Sequence, residues 1–193
     1  MKNGLPSYSA LIIVDLQRDF CSGGALAVPE GDKIVPVFNQ YIQLFEQNDF
    51  PIIATRDWHP SDHCSFDVQG GPWPEHCVQN SLGAEFHPDL KLPKNTIVIS
   101  SATDKNREAY SGFAGTNLEK ILGEKHIQTL FIGGLATDYC VKHTVLDGLK
   151  AGFEVYLLVD AIRGVDVSPG DSEKAIEEMV NSGAKPFSFE DIG

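Results

Sequence analysis

Two residues stand where a nucleophile and its proton acceptor would. Asp15 closes the apolar run Ala10-Leu11-Ile12-Ile13-Val14, and Cys140 follows Gly133-Gly134-Leu135-Ala136-Thr137-Asp138-Tyr139. A carboxyl at the end of an apolar strand loses solvation, so its pKa rises toward that of a useful base. A thiol ahead of an amphipathic helix sits near unpaired N–H groups and the positive end of the helix dipole. Both lower its pKa from about 8.5, and both can hold an oxyanion. Each residue also has a plain structural reading: most free cysteines are small buried hydrophobes, and Asp commonly ends a strand as a turn residue. Asp19 reads as such a turn or capping residue.

A second group has metal chemistry. In Arg56-Asp57-Trp58-His59-Pro60-Ser61-Asp62-His63, Asp57 and His59 are two apart and share a face of an extended chain. His76, in Trp73-Pro74-Glu75-His76-Cys77, completes a trio of one carboxylate and two imidazoles that leaves coordination positions open for water or substrate. His63 stands as a fourth ligand or as a hydrogen-bond partner of one. Such a set suits zinc first, with manganese and iron also accommodated. Cys64 and Cys77 follow two of these histidines, which raises a structural Cys2His2 zinc site; the spacing lacks the paired knuckles of that class. Histidines scattered in a long loop are otherwise ordinary surface residues.

The elements that must position these groups alternate along the chain. Residues 10–14, 51–55, 96–100, 129–133 and 155–159 are short, nearly continuous apolar runs, as expected of parallel strands covered on both faces, and 185–189 is a weaker sixth. Residues 34–47, 118–122, 141–149 and 175–180 carry apolar side chains at helical spacing. Asp171 or Ser172 is the expected cap of the last of these and Gly183 its end. The sum is a doubly wound α/β sheet with right-handed crossovers. Residues just past the strand ends gather along one edge, so Asp15, Asp57, His59, Ser101 and Cys140 are expected in one crevice. If the strand order reverses beside the first strand, Asp15 faces Cys140 there. Residues 56–93 have no strong period and read as a functional excursion.

Composition narrows the partners. At 193 residues, with 42% hydrophobic and 22% charged residues, the chain is long enough for one domain, residues 1–193, with its own core. A net charge of −12 repels phosphate backbones and anionic lipid, so neither nucleic acid nor a membrane surface is expected as partner, whereas a small neutral molecule is. The start, Met1-Lys2-Asn3-Gly4-Leu5-Pro6, has no signal-peptide core and no apolar run reaches a membrane span, which predicts a cytoplasmic protein. Four scattered cysteines are too few for a disulfide scaffold. The sequence leaves room for a homo-oligomer without specifying one.

Together these motifs resemble the nicotinamidase/pyrazinamidase branch of the isochorismatase-like cysteine hydrolases. The matching pieces are Asp15-Leu16-Gln17-Arg18-Asp19-Phe20, Asp57-Trp58-His59, Trp73-Pro74-Glu75-His76-Cys77, Ala109-Tyr110-Ser111-Gly112-Phe113 and Ala136-Thr137-Asp138-Tyr139-Cys140-Val141, in order over most of the chain. The resemblance implies a six-stranded α/β/α sandwich that hydrolyses nicotinamide, and pyrazinamide-like amides, to the acid and ammonia through a thioester. It makes Asp15 the acid/base and Cys140 the nucleophile. Asp57, His59 and His76 become the metal ligands, with His63 a ligand as in some members. Phe20, Trp73 and Tyr110 become the walls of a pyridine pocket. The amides of Ala136 and Cys140 become the oxyanion hole, with a cis peptide before Ala136.

One departure matters. The family places a lysine just after the third strand, and here Val98-Ile99-Ser100-Ser101-Ala102-Thr103-Asp104 puts Ser101 there, with Lys105 four residues on. Serine donates a hydrogen bond but no charge, so Asp15 is expected to hold its proton more tightly. This opens two rival readings: a catalytically impaired homologue that still binds a pyridine, and a hydrolase of another small amide, such as a carbamoyl compound, or of isochorismate.

Overall fold

The computed structural model describes residues 4–192; Met1, Lys2 and Asn3, part of the start read as lacking a leader, lie outside them. Six strands, β1 (Ser9–Val14), β2 (Ile52–Asp57), β3 (Ile97–Ser101), β4 (Thr129–Leu135), β5 (Glu154–Arg163) and β6 (Lys185–Phe187), form one sheet in the order β3-β2-β1-β4-β5-β6. Every pairing is parallel. Four helices accompany them: α1 (Val35–Gln47), α2 (Leu118–Glu124), α3 (Lys142–Lys150) and α4 (Asp171–Asn181).

The apolar pattern explains the three layers. All of β1 is buried, and alternate residues face opposite ways: Leu11 and Ile13 pack with Phe38, Tyr41 and Phe45 of α1, while Ala10, Ile12 and Val14 pack with Leu118 and Leu122 of α2, Val145 of α3 and Met179 of α4. A strand covered on both faces needs a continuous apolar run, and that is what residues 10–14 supply. The last helix departs from the expected capping. Gly170, with φ of +86°, precedes it, while Asp171 accepts the N–H of Ser168 at 2.9 Å and the Ser172 hydroxyl donates to Asp166 Oδ2 at 2.8 Å. Both polar side chains organise the turn before the helix instead of capping it. Gly183, at φ of +114°, lies just beyond its end as expected. No helix among the described residues is long and apolar enough to cross a membrane.

Strand order sets the site. The winding reverses between β1 and β4, which pair from Ser9↔Thr129 to Val14↔Gly134, so the chain leaving β1 at Asp15 meets the chain leaving β4. Gly134 makes that closeness possible. Its φ is +132°, and a Cβ there would lie 2.0 Å from the Val14 carbonyl oxygen. Gly134→Ala is therefore expected to cost about 3 kcal/mol or more, lowering the melting temperature by roughly 6–12 °C. An unchanged thermal midpoint would show that the two strands can separate without loss.

Candidate active site

The excursion between β2 and β3 covers the carboxyl edge of the sheet with little regular structure. A single 3₁₀ turn (Asp67–Gln69) and the isolated bridges His59↔Val78 and Phe66↔Trp73 hold it. Gln17 clamps its root. Its amide oxygen accepts the Asp57 N–H at 2.8 Å, and its amide nitrogen donates to the Asp57 and Ala84 carbonyls at 2.8 and 3.0 Å. Asp19 plays the turn role expected of it, accepting the N–H groups of Ala25 at 3.2 Å and Cys77 at 2.8 Å.

Asp15 and Cys140 meet at the switch point. Asp15 lies in the left-handed region at φ of +48°, is 2% exposed, and is hydrogen-bonded to the Cys140 thiol. Thr55 on β2 donates its hydroxyl to Asp15 Oδ1 at 2.6 Å. Burial first, and then the charge of Asp57, push the Asp15 pKa up to about 8, against the hydrogen bonds of Thr55 and Cys140. Cys140 sits in a π turn (Thr137–Val141) that leads into α3. Its thiol behaves differently from the thiolate expected beside a helix end. Burial first, then Asp15 and Asp57, raise its pKa well above the ordinary range, because desolvation and two carboxylates outweigh the dipole. At rest the thiol therefore keeps its proton, with the Asp15 carboxyl in contact.

A raised carboxyl pKa has a stability consequence whose sign is fixed. Asp15 takes up a proton in the folded chain at a pH where the unfolded chain has lost it. Its contribution is thus fully present below pH 3.8 and disappears as pH climbs through about 8. Asp15→Asn is expected to raise the melting temperature of metal-free protein at pH 9 and to change it least near pH 4. A larger gain at the acidic end would contradict the burial argument.

Asp57, His59 and His76 bring a ligand atom each within 4.8 Å of one another, all buried. Asp57 Oδ2 lies 3.5 Å from His59 Nε2 and 4.0 Å from His76 Nε2. Both ring nitrogens of His59 are buried without a hydrogen-bond partner, an expense that a coordinated ion removes. His76 donates through Nδ1 to the Pro74 carbonyl at 2.7 Å, which turns the Nε2 lone pair toward the cluster. Burial lowers its pKa, favouring the neutral ligand form. For His59, burial opposes the proton but Asp57 and Glu108 outweigh it. These residues fit a divalent metal ion. His63 lies beside them, its ring 4.3 Å from that of His59, with Nδ1 bonded to Ser65 at 2.7 Å and Nε2 donating to the Arg107 carbonyl at 3.2 Å. Both its nitrogens are engaged outside the trio. Cys64 is exposed and Cys77 buried, both as free thiols, and neither joins a metal-competent group among the described residues.

The cavity over Cys140 is lined by Phe20, Trp73, Tyr110 and Ala136, all expected, together with Asp57, His59 and His76. Trp73 Nε1 donates to the Tyr110 hydroxyl at 3.0 Å, fixing two walls against each other. The Leu135–Ala136 peptide is cis, as expected. Leu26, Val28, Glu108 and Val165 also line the cavity and belong to none of the motifs, and Tyr139 does so from within the Cys140 motif, where it was given no role of its own. Thr55 was missed as well, although its place on the period-two face of Asp57 in β2 was a signal for it.

Ser101 ends β3 beside Asp57 and is 4% exposed, its hydroxyl donating to the Arg56 carbonyl at 3.2 Å and to Asp57 Oδ1 at 3.4 Å. Lys105 does not reach back; its ammonium pairs with Asp62 at 3.0 Å on the surface. The influences on Asp15 are burial, Asp57, Thr55, Cys140 and His59, with no lysine or arginine among them.

Comparison with known proteins agrees with this fold. The Isochorismatase domain model matches residues 9–191. The chain belongs to the isochorismatase domain family. It is 42% identical to the nicotinamidase of Escherichia coli, over 94% of this chain and 95% of that one. It is 39% identical to the nicotinamidase/pyrazinamidase of Mycobacterium tuberculosis, over 88% and 93%. Among solved structures, the pyrazinamidase of Pyrococcus horikoshii in complex with zinc superposes with a TM-score of 0.91 at 55% identity, covering 94% of this chain and 99% of that one. The isochorismatase-like α/β/α fold is thus shared over 94% of the chain.

Proposed function

We propose that the chain is a metal-dependent nicotinamidase, a cysteine amidohydrolase that converts nicotinamide and pyrazinamide-like amides to the acid and ammonia. The observation that carries this is the Cys140 thiol in contact with Asp15, inside an aromatic-walled cavity that also holds Asp57, His59 and His76. The nicotinamidase and pyrazinamidase relatives support it.

The geometry divides the work. Phe20, Trp73 and Tyr110 flank the flat ring and exclude water, and Leu26, Val28 and Val165 complete the apolar wall. Asp57, His59 and His76, with His63 beside them, would hold the ion. A divalent metal bound there supplies an electrophilic anchor for the ring nitrogen. Asp15 takes the thiol proton as Cys140 sulfur bonds to the carboxamide carbon. The carbonyl oxygen, now an anion, rests on the Ala136 and Cys140 amides. Asp15 returns the proton to nitrogen as the C–N bond breaks, releasing ammonia and leaving a thioester on Cys140. Water then adds to the thioester carbon, Asp15 accepting its proton, and the acid leaves with the thiol restored.

A panel of small amides tests the proposal. Ammonia release is expected from nicotinamide and pyrazinamide, with little from carbamoyl compounds, and is expected to fall with metal content on chelation. Turnover of carbamoyl amides alone would move the chain to the related amidase reading. The buried, uncharged Ser101 supports one other reading, a pyridine-binding homologue of impaired activity; calorimetric binding of nicotinamide without ammonia would establish it.

A further inference from the structure

Beyond the cavity over Cys140, the loop after β1 builds a second cluster. Cys21, Asp32 and His87 each place a ligand atom within 4.8 Å of the others. We propose that these three side chains bind one further divalent cation of the thiophilic, zinc-like class, separate from the Asp57, His59 and His76 cluster.

The donor set suits such an ion. A thiolate and a carboxylate together balance a double positive charge, and neutral imidazole completes three protein ligands with one position left open. Cys21 and His87 also line a cavity of about 340 Å³, together with Arg18, Gly23 and Leu82 among others. Arg18 is the one cation in that lining, and it is directed to Glu85, 3.4 Å away.

The backbone is already set. Arg18 N–H donates to the Glu85 carbonyl at 2.9 Å, Asp19 N–H to the Gly83 carbonyl at 3.0 Å, and His87 N–H to the Leu16 carbonyl at 2.9 Å. These bonds tie the segment bearing Cys21 to the segment bearing His87. Ser22 N–H donates to both Asp32 oxygens, at 3.1 and 3.3 Å, and holds the carboxylate in place. His87 Nε2 points at Asp32 Oδ1 from 3.6 Å. Metal binding at Nε2 moves the ring proton to Nδ1, so the 3.2 Å bond from the exposed Asp89 N–H is given up to water.

Without an ion, Cys21 is a protonated thiol hydrogen-bonded to Asp32; burial first, then Asp32, raise its pKa to about 12. Binding therefore breaks the S–H bond, forms a metal–sulfur bond and releases that proton to solvent. An ion here would staple together the loop that carries Phe20, Leu26 and Val28 into the substrate cavity.

Cobalt(II) titration of the full chain carrying Cys140→Ala and Cys64→Ser tests this, because those changes remove the catalytic and the exposed thiol. Two ions per chain are expected, one of them with near-ultraviolet sulfur-to-cobalt charge transfer. Adding Cys21→Ser should abolish that absorption and leave one ion. Adding His87→Gln, which keeps a polar side chain at this partly exposed position, should weaken the absorbing site by at least about tenfold. One ion per chain without charge transfer, or absorption indifferent to both changes, overturns the proposal. Because neither the band nor the stoichiometry depends on turnover, failure of the nicotinamidase reading would leave this result untouched.

Discussion

Cys140→Ala is expected to remove ammonia release from nicotinamide by on the order of 10⁶-fold, the loss typical when a covalent nucleophile is deleted from a preorganised site. Sulfur is the one atom in the cavity placed to bond the carboxamide carbon while its proton passes to a neighbouring carboxylate. Alanine conserves the π turn and the packing of this buried position, so the fold should persist. Metal content should persist too, since the Asp57, His59 and His76 atoms form their cluster without Cys140. Asp15 should titrate lower in the variant only to the extent that other effects exceed the lost thiol bond, because that bond itself lowers its pKa. Ammonia measured over hours on metal-analysed protein gives the answer, and turnover within tenfold of the parent would exclude a thioester on Cys140.

Ser101→Lys should have the opposite effect. The register Asp57↔Ser101 places position 101 two strands from β1, roughly 10 Å across the sheet at the usual spacing. A lysine stem reaching over Thr55 brings an ammonium toward Asp15, Asp57 and Cys140, three buried groups whose ligand atoms lie within 4.8 Å of one another. A cation there favours ionised Asp15 and stabilises negative charge on sulfur in the transition state. The expected gain is on the order of 10²–10³ in kcat/KM. The pH profile should respond as well. With Asp15 titrating at about 8, activity rises as pH passes through that value and the base form appears. Lysine should move this limb to lower pH. A rate and profile both unchanged would mean that Thr55, His59 and the bound metal already supply what the cation would add.

Much of this was legible in the chain. Continuous apolar runs ahead of Asp15 and Asp57 marked strands buried on both faces, and helical spacing at residues 34–47 and 141–149 marked the layers that cover them; the equally apolar run ahead of Ser101 proved to be the sheet edge, with Val98 45% exposed. Where the patterns were short they misled about detail: Asp171 and Ser172 carry cap-type side chains, yet their partners lie in the preceding turn. The Leu26, Val28 and Val165 walls left no trace, because apolar loop residues carry no period and become a pocket only when loops converge.

The chemical cast was written in the residues themselves: type and spacing along short segments suffice to nominate a thiol, a carboxyl and a metal-binding trio. Proton affinity was not. The helix end at Cys140 argued for a thiolate, but burial beside Asp15 and Asp57 keeps the proton on sulfur, since desolvation depends on every atom packed around a group and not on its neighbours in sequence. The same holds for Lys105, near Ser101 in the chain but turned outward to Asp62, and for Cys21, whose company of Asp32 and His87 exists only because loops distant in sequence are hydrogen-bonded side by side.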